Sequence, residues 1–564
     1  MLAIVFLSWS GVLPAASFYE GSVRDSAGLP LKAALVSAHR AGAPETTIVI
    51  SDSDGKFRIP NPIPGRYEIE IGKPGYSRAV LKSSIPSAHE LRVRLRALPV
   101  VPLAALRDSD LIRYMPDDDP ARTAHGGGGG VHVALSEQSA KTLVRDRCVR
   151  CHSLALVLRQ GRSREEWEAL VTRMGTYPIG ATNPVGYALT GKPELRKRII
   201  DYLAKYVGPD TTVATDIERA AARGYREEVP LGAGVVYTEW KLPTPMAMGH
   251  TAVPDRRGHV WITEYAANAI ARFDIDTGSF VEYPVKKPHG NPHGINVGAD
   301  GVVWYTIDGD LGRIDPRTDT VEEFRPPEDQ PVGLNVIIAR DGAVWYATPG
   351  GAGRFDPVTH EFSKVVAEPG MGSPYALIQS RDNEDVLWFC VEDQDKVGFV
   401  NVKTGQSKIW HTALPGPKRP RVDSRGRIWF GYYEGGAVGM IDPRTMELVD
   451  VPLPYRGSAY AIHVDDRDDV WVASYERGSL IRIDAESRSL TEYPWPSPGG
   501  IVRDIWPDAD GNLWFVHFAW THNVLVRAER PPGPGPGAQA PNGSIDSPSH
   551  FPKAIAGVTD MPPQ

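Results

Sequence analysis

Asp300-Gly301-Val302-Val303-Trp304 and Asp510-Gly511-Asn512-Leu513-Trp514 repeat one pattern: an Asp-Gly turn followed by a short apolar run that reaches a tryptophan. The tryptophan returns as Trp261, Trp304, Trp345, Trp388, Trp429, Trp471 and Trp514, at intervals of 43, 41, 43, 41, 42 and 43 residues. Several copies continue into a second strand with an apolar-Asp turn, as in Gly312-Arg313-Ile314-Asp315-Pro316 and Ile481-Arg482-Ile483-Asp484. Four short strands per unit at this period predict propeller blades, and seven of them close a ring over 233–530. Most units end in a strand such as Thr491-Glu492-Tyr493-Pro494-Trp495-Pro496, but the seventh runs from Trp514 into Pro531-Pro532-Gly533 without one. Tyr237-Thr238-Glu239-Trp240-Lys241-Leu242-Pro243 supplies it from the other end, sealing the ring and removing two open sheet edges.

Upstream of the ring, Cys148-Val149-Arg150-Cys151-His152 concentrates reactive side chains. Two thiols at this spacing form thioethers to the two vinyl groups of one haem, and the adjacent imidazole becomes an axial iron ligand. A thioredoxin-like dithiol has no use for the histidine. A zinc site needs a second ligand pair, and the remaining cysteine, Cys390, stands 239 positions beyond Cys151. Cys390 closes the apolar run Val386-Leu387-Trp388-Phe389-Cys390 and reads as a buried free thiol. The expected cofactor is one covalent haem c.

Helix signals surround the motif over 131–208. Ser136 is placed to cap a helix carrying Leu143, Val144 and the cysteines. Ser163-Arg164-Glu165-Glu166 is a capping box opening a helix on which Trp167, Leu170, Val171 and Met174 share a face, with Gly175 placed to stop it. A third helix starts at Pro193 and presents Leu195, Ile199, Tyr202, Leu203 and Tyr206. Three helices around one haem resemble a class I cytochrome c domain. Met174, the one methionine between Met115 and Met246, is the candidate sixth iron ligand. It also fits as the last member of an apolar stripe, which leaves His132, His125 or an open position as alternatives.

The chain of 564 residues exceeds what one core holds, so several domains are expected. Its 41% hydrophobic and 23% charged residues are ordinary for a globular protein, and a net charge of -7 supplies no attraction to nucleic acid or anionic membranes. Met1–Ser17 is an apolar run ending in Ala15-Ala16-Ser17, the pattern of a signal peptide without a basic start, which predicts a periplasmic or secreted protein with no transmembrane anchor. From 18 to 98 apolar and polar residues alternate between turns at Ser53-Asp54-Gly55, Pro64-Gly65 and Lys73-Pro74-Gly75, predicting a small β-sandwich. This stretch resembles the carboxypeptidase regulatory-like domain family, whose members imply a non-catalytic spacer or interaction module. Asp52 and Asp54 are explained by turn chemistry rather than calcium. Five glycines, Gly126 to Gly130, mark 99–130 as a flexible linker that lets the haem domain move. A polar connector over 209–232 and a Pro/Gly-rich disordered tail over 531–564 complete the chain. The expected class is multidomain and mainly β: an N-terminal β-sandwich, a small all-α cytochrome c domain and a seven-bladed β-propeller.

The blades, with Trp261-Ile262-Thr263-Glu264 and Ala269-Ile270-Ala271-Arg272-Phe273-Asp274 as neighbouring strands, resemble the streptogramin lyase (virginiamycin B lyase) family. That resemblance implies magnesium and a histidine, followed in the next blade by Glu-Pro-His, opening a lactone by elimination. Gly249-His250-Thr251 matches the first element, and Asn291-Pro292-His293 matches the second with Asn in place of Glu. Asparagine neither takes a proton as a carboxylate does nor brings charge to a metal, so His250, Asn291 and His293 are weak catalytic candidates and magnesium is disfavoured.

His250 and His293 each stand eleven residues before their blade's tryptophan. The same position gives Leu334, Lys418, Tyr460 and Arg503, and a two-residue insertion brings in Tyr375. In register, two imidazoles, two phenols and two cations converge on the channel, either as a pocket for an anionic or phenolic small molecule or as plain lining. The combined expectation is an exported monohaem protein that exchanges electrons with a redox partner protein while the propeller binds a small molecule or docks a partner. A C–O lyase and a non-catalytic interaction protein are the alternatives.

Overall fold

The computed structural model of the chain describes residues 18–85, 90–118, 139–149, 153–176, 193–224, 231–453, 458–474, 476–496, 500–518 and 523–531. Met1–Ser17, His125, Gly126 to Gly130, His132, Ser136, Arg150, Cys151, His152 and the tail after 531 lie outside the described residues.

Six four-stranded antiparallel sheets follow one another in the chain, from Gly249–Pro254, His259–Glu264, Ala269–Asp274 and Phe280–Pro284 to Ala459–Val464, Val470–Ser474, Ser479–Ile483 and Leu490–Pro494. The seventh blade combines Trp506–Pro507, Leu513–Val516 and Val524–Glu529 with Val236–Lys241 as its outer strand. Arg527 stands opposite Thr238 and Ala528 opposite Tyr237, so the expected sealing strand is in place. Trp240 on that strand stacks on Trp514, with ring centroids 5.6 Å apart.

The recurring tryptophan has a local cause. In four blades its indole N–H donates to an aspartate six residues earlier: Trp261 to Asp255 (3.1 Å), Trp429 to Asp423 (2.9 Å), Trp471 to Asp465 (2.9 Å) and Trp514 to Asp508 (2.9 Å). The other face of each aspartate holds the turn, as Asp508 does by accepting the N–H groups of Asp510 and Asn512. One side chain thus closes the turn and fixes the core indole, a unit that survives repetition.

The N-terminal domain is a two-sheet sandwich. Lys56–Pro60, Phe18–Asp25 and Leu91–Leu95 form one sheet, with the last two strands parallel. Glu45–Ile50, Leu35–Arg40, Gly65–Gly72 and Ala79–Ile85 form the other, over a core of Val23, Val36, Ile69 and Ile71. Asp52 accepts the N–H groups of Asp54 (2.9 Å) and Lys56 (2.8 Å), the turn role expected of it. Nothing in the sequence pattern announces where this sheet goes next. Glu45–Ile50 pairs antiparallel with Val236–Lys241, Ile48 opposite Tyr237, so the seventh blade and the sandwich share one eight-stranded sheet.

The helical region begins earlier and ends later than its sequence signals suggest. Within the expected linker, Leu103–Ala105 is a 3-10 turn and Asp108–Tyr114 a helix. Leu103, Leu106, Leu111 and Met115 are buried in one core with Leu143, Val144, Leu154, Trp167, Leu195, Ile199 and Leu203. Within the expected connector, Val213–Gly224 is a helix that adds Ile217 and Ala221 to that core. The cap of Ala140–Cys148 is Ser139, which accepts the Thr142 N–H at 3.2 Å, not Ser136. The capping box at Ser163 forms in both directions, Ser163 N to Glu166 Oε2 at 2.8 Å and Glu166 N to Ser163 Oγ at 3.3 Å.

These residues also moor the helices to the ring. Arg107 donates to Glu492 (3.0 Å), whose carboxylate also receives Arg477 (2.6 Å) and Ser479 (2.9 Å), and Ser109 N donates to Glu476 O (2.7 Å). The expected linker is therefore not irregular throughout: its described part, up to Asp118, is built into the helical core, and the glycine run itself lies outside the described residues.

Candidate functional site

Three inner strands meet the channel through β-bulges. In the first blade Ala252 faces Ile262 and Gly249 faces Glu264, so His250 and Thr251 together oppose Thr263. In the fifth, Arg419 and Pro420 oppose Phe430, and in the sixth Tyr460 is the extra residue between Ala459 and Ala461. A bulge bends the strand and turns its side chain out of the regular alternation, here toward the ring axis.

His250, His293, Tyr375, Lys418, Tyr460 and Arg503 do converge. The imidazoles of His250 and His293 lie 3.6 Å apart, centroid to centroid. Burial, the facing imidazole and then Arg419, Arg503 and Lys418 hold His250 well below the usual imidazole range. Burial followed by the same guanidiniums and ammonium does so for His293. Both rings are neutral at pH 7. His293 Nδ1 lies 2.7 Å from the carbonyl oxygen of Leu334, which only accepts, so that nitrogen carries the proton and Nε2 keeps its lone pair. Tyr375 Oη is 3.5 Å from that Nε2. His250 Nδ1 meets Thr251 Oγ1 at 3.0 Å, and its Nε2 has no hydrogen-bond partner among the described residues.

The phenols continue the chain. Tyr375 Oη is hydrogen-bonded to Tyr460 Oη, and Arg503 donates to Tyr460 Oη at 3.1 Å. Burial pushes the Tyr460 phenol up, but Lys418, Arg503 and Arg419 outweigh it and leave it lowered to about 8. Tyr375 is raised, by burial and then by Tyr460, so Tyr460 is the member that ionises first. Lys418 Nζ sits 4.0, 4.1 and 4.4 Å from the ring centroids of Tyr460, Tyr375 and Tyr433.

The cations are already matched by protein groups. Lys418 pairs with Glu392 at 2.8 Å, and Arg419 and Arg421 each reach Asp504 at 2.7 Å. The cavity of about 330 Å³ beside them is lined by Tyr265, Asn291, His293, Leu334 and Tyr375 together with Asp308, Glu392 and Asp393. Lys418, Tyr460 and Arg503 are not in its wall; Tyr460 meets the wall at Tyr375, and Lys418 meets it at Tyr375 and Glu392. An anionic ligand, one of the two kinds anticipated, meets carboxylates there rather than cations.

Asn291 has a local role. It sits at φ 46°, its side-chain amide donates to His289 O, and its backbone N–H donates to Asn268 Oδ1 at 3.1 Å. Among the described residues no group of three or more His, Cys, Asp or Glu is placed to hold a metal ion. Glu264, opposite Gly249, is fully buried, and burial together with Glu282 raises its carboxyl to about 9. Arg419, Asp504, Glu392 and Tyr433 were not anticipated. Counting back from tryptophan finds one residue per blade, and the bulge at Arg419 hides the second.

In the helical region, Cys148 is the last residue of its helix, half-buried against the apolar core. Met174 is 42% exposed instead of packed with Trp167 and Val171. Asp108 accepts from Ser153 Oγ (2.7 Å) and Leu154 N (2.8 Å), fixing the start of the short helix Leu154–Leu158 just after the cysteine motif. No helix among the described residues is long and apolar enough to cross a membrane.

The virginiamycin B lyase family profile matches residues 231–357, and the carboxypeptidase regulatory-like domain profile matches residues 20–96. Among solved structures, a streptogramin B lyase is 20% identical over 52% of this chain and 98% of its own, with a TM-score of 0.46. The virginiamycin B lyase of Staphylococcus aureus is 21% identical over 52% and 99%, with a TM-score of 0.47. An extracellular domain of a hybrid two component system of B. thetaiotaomicron is 14% identical over 50% and 40%, with a TM-score of 0.41. No curated protein sequence matches the chain. The chain carries a carboxypeptidase regulatory-like domain and a virginiamycin B lyase-like propeller, joined here through one sheet.

Proposed function

We propose that this chain is an exported monohaem c-type cytochrome that exchanges electrons with a redox partner protein and holds a small molecule in its propeller channel. The motif Cys148-Val149-Arg150-Cys151-His152 carries the proposal. Two observations support this reading: Cys148 ends a helix against an apolar core, and Asp108 anchors the chain immediately after His152. Cys148 and Cys151 would bind the haem covalently and His152 would take one axial position. When bound, the haem supplies one-electron chemistry. Met174 is the candidate for the other axial position, and its exposure at a helix end favours this over a packing role. Export is read from Met1–Ser17.

The test is protein matured with a cytochrome c assembly system. Denaturing gels retain haem-dependent peroxidase staining, one haem per chain, and the spectrum changes on reduction. Absence of staining, or staining that survives Cys148→Ala with Cys151→Ala, overturns the proposal.

A lyase is the second reading. It draws on the acceptor Nε2 of His293, a residue that lines the cavity, and on the match of the virginiamycin B lyase family profile. Asn291 stands where that chemistry needs a carboxylate, so elimination lacks both its acid–base partner and its metal anchor.

A further inference from the structure

We infer that the channel cavity recognises a small aromatic molecule carrying both a hydroxyl and a cationic amine, its hydroxyl bridging Tyr375 and His293 and its amine facing Asp308 and Asp393. This rests on the channel being a ligand site and is independent of the haem.

The hydroxyl follows from the direction of the hydrogen bonds. His293 Nε2 only accepts, so in its contact with Tyr375 the phenol donates; with its one hydrogen used there, Tyr375 accepts from Tyr460, whose oxygen accepts from Arg503. His293 Nε2 offers only a lone pair, because Nδ1 holds the proton against Leu334 O. The Tyr375 to His293 separation of 3.5 Å is long for a direct bond between a phenol and an imidazole. Atoms 3.5 Å apart leave no space for a third between them, so a ligand group that replaces this weak contact lies beside both, accepting from Tyr375 and donating to His293. A hydroxyl does both; a carboxylate has no hydrogen for Nε2, and an ammonium has no lone pair for Tyr375.

The amine follows from the rest of the wall. Glu392 is paired with Lys418, but Asp308 and Asp393 make no salt bridge with a basic side chain among the described residues. Asp393 is exposed and Asp308 half-buried, and both line the cavity. An anion is repelled there and a cation held. The aromatic ring follows from Tyr265, His293 and Tyr375, three rings of the cavity lining, with His293 edge to face on Tyr265 (6.4 Å) and on Tyr375 (6.0 Å). The cavity, about 330 Å³, lies at the small end of the usual pocket range, which suits a one-ring ligand.

Titration calorimetry of the full chain at pH 7 with tyramine, phenethylamine, 4-hydroxyphenylacetate and phenol tests this. Tyramine binds at least about tenfold more tightly than phenethylamine, which lacks the hydroxyl, and than 4-hydroxyphenylacetate, which replaces the amine by a carboxylate. Tyr375→Phe removes the advantage of tyramine over phenethylamine. Asp308→Asn weakens tyramine but leaves phenol unchanged, which guards against a mere folding defect. Equal binding of tyramine and phenethylamine overturns the hydroxyl assignment. Tighter binding of 4-hydroxyphenylacetate, lost in Tyr375→Phe, overturns the ligand class while keeping the site. Failure of all four probes to bind overturns the channel as a ligand site.

Discussion

The helical region and the propeller channel gather reactive groups in opposite ways. In the first, Cys148 to His152 are neighbours in sequence, and Met174, 22 residues after His152, is left exposed. In the second, His250 and Arg503 are 253 residues apart, and each charged group that converges is matched by another: Lys418 by Glu392, Arg419 by Asp504, Arg503 by the Tyr460 oxygen. A linear motif advertises its chemistry and leaves the surroundings open. An assembled site announces residue types but conceals how their charges cancel, and the cancellation decides what is bound.

The comparison is tested hardest at Met174. If its exposure marks an iron ligand, the oxidised haem protein shows the weak sulfur-to-iron absorption band near the red end of the visible spectrum. Met174→His then removes that band entirely while the haem stays attached. A wild-type spectrum of the bis-histidine kind sinks the assignment and shifts attention to His132 or His125.

Next in size is the mooring between the two regions. Glu492 is fully buried and receives hydrogen bonds from both Arg107 and Arg477. Glu492→Gln leaves two guanidiniums facing a neutral amide in a dry interface, a change expected to cost about 3–5 kcal/mol. Urea unfolding followed by both tryptophan fluorescence and helical circular dichroism measures it. Both signals shift together if helices and ring form one cooperative body. A loss below about 1 kcal/mol, or a shift in the helical signal alone, means that the regions are only loosely joined.

What was legible in the sequence follows the same division. The seven tryptophans, the sealing strand and the capping box at Ser163 each rest on a local rule that repetition or spacing makes visible. The pairing of Glu45–Ile50 with Val236–Lys241 was not visible, because edge-to-edge pairing needs only two open backbones and leaves no side-chain period. Asp108–Tyr114 is too short to show helical periodicity and draws its stability from Leu111 in a shared core. The channel histidines and phenols emerged from register alone. Their protonation states and the pairing of Lys418 with Glu392 depended on contacts across blades.

A third expectation uses those protonation states. Tyr460 is faced by Lys418, Arg503 and Arg419, by the phenols of Tyr375 and Tyr433, and by Glu392 through Lys418. Below its value of about 8 it is a neutral phenol whose proton is passed to Tyr375, leaving the Tyr375 proton for a ligand. Above that value the Tyr375 proton turns back toward the phenolate. Tyramine affinity therefore falls about tenfold between pH 7 and 9, and phenethylamine affinity stays level over the same interval. A tyramine affinity that holds or rises there breaks the proposed direction of the chain.

The smallest effect is expected at Asn291, where the sequence resemblance and the local structure disagree. The lyase chemistry needs a carboxylate, so restoring Glu looks at first like a repair. Asn291 has φ 46°, a conformation in which asparagine is favoured and glutamate is strained, and its side-chain amide donates to His289 O. Glutamate has no hydrogen to give that carbonyl, and it would bring a further negative charge to a wall that already holds Asp308, Glu392 and Asp393. Asn291→Glu is therefore expected to lose about 1 kcal/mol of stability, read from the urea midpoint, and to gain no ring-opening of streptogramin B antibiotics with added magnesium. The unmodified chain is expected to show none either. Ring-opening by the unmodified chain would put the lyase ahead of the cytochrome as an account of the propeller. Activity appearing only in Asn291→Glu would show that the two histidines still hold the geometry of an elimination site and that a single amide keeps it silent.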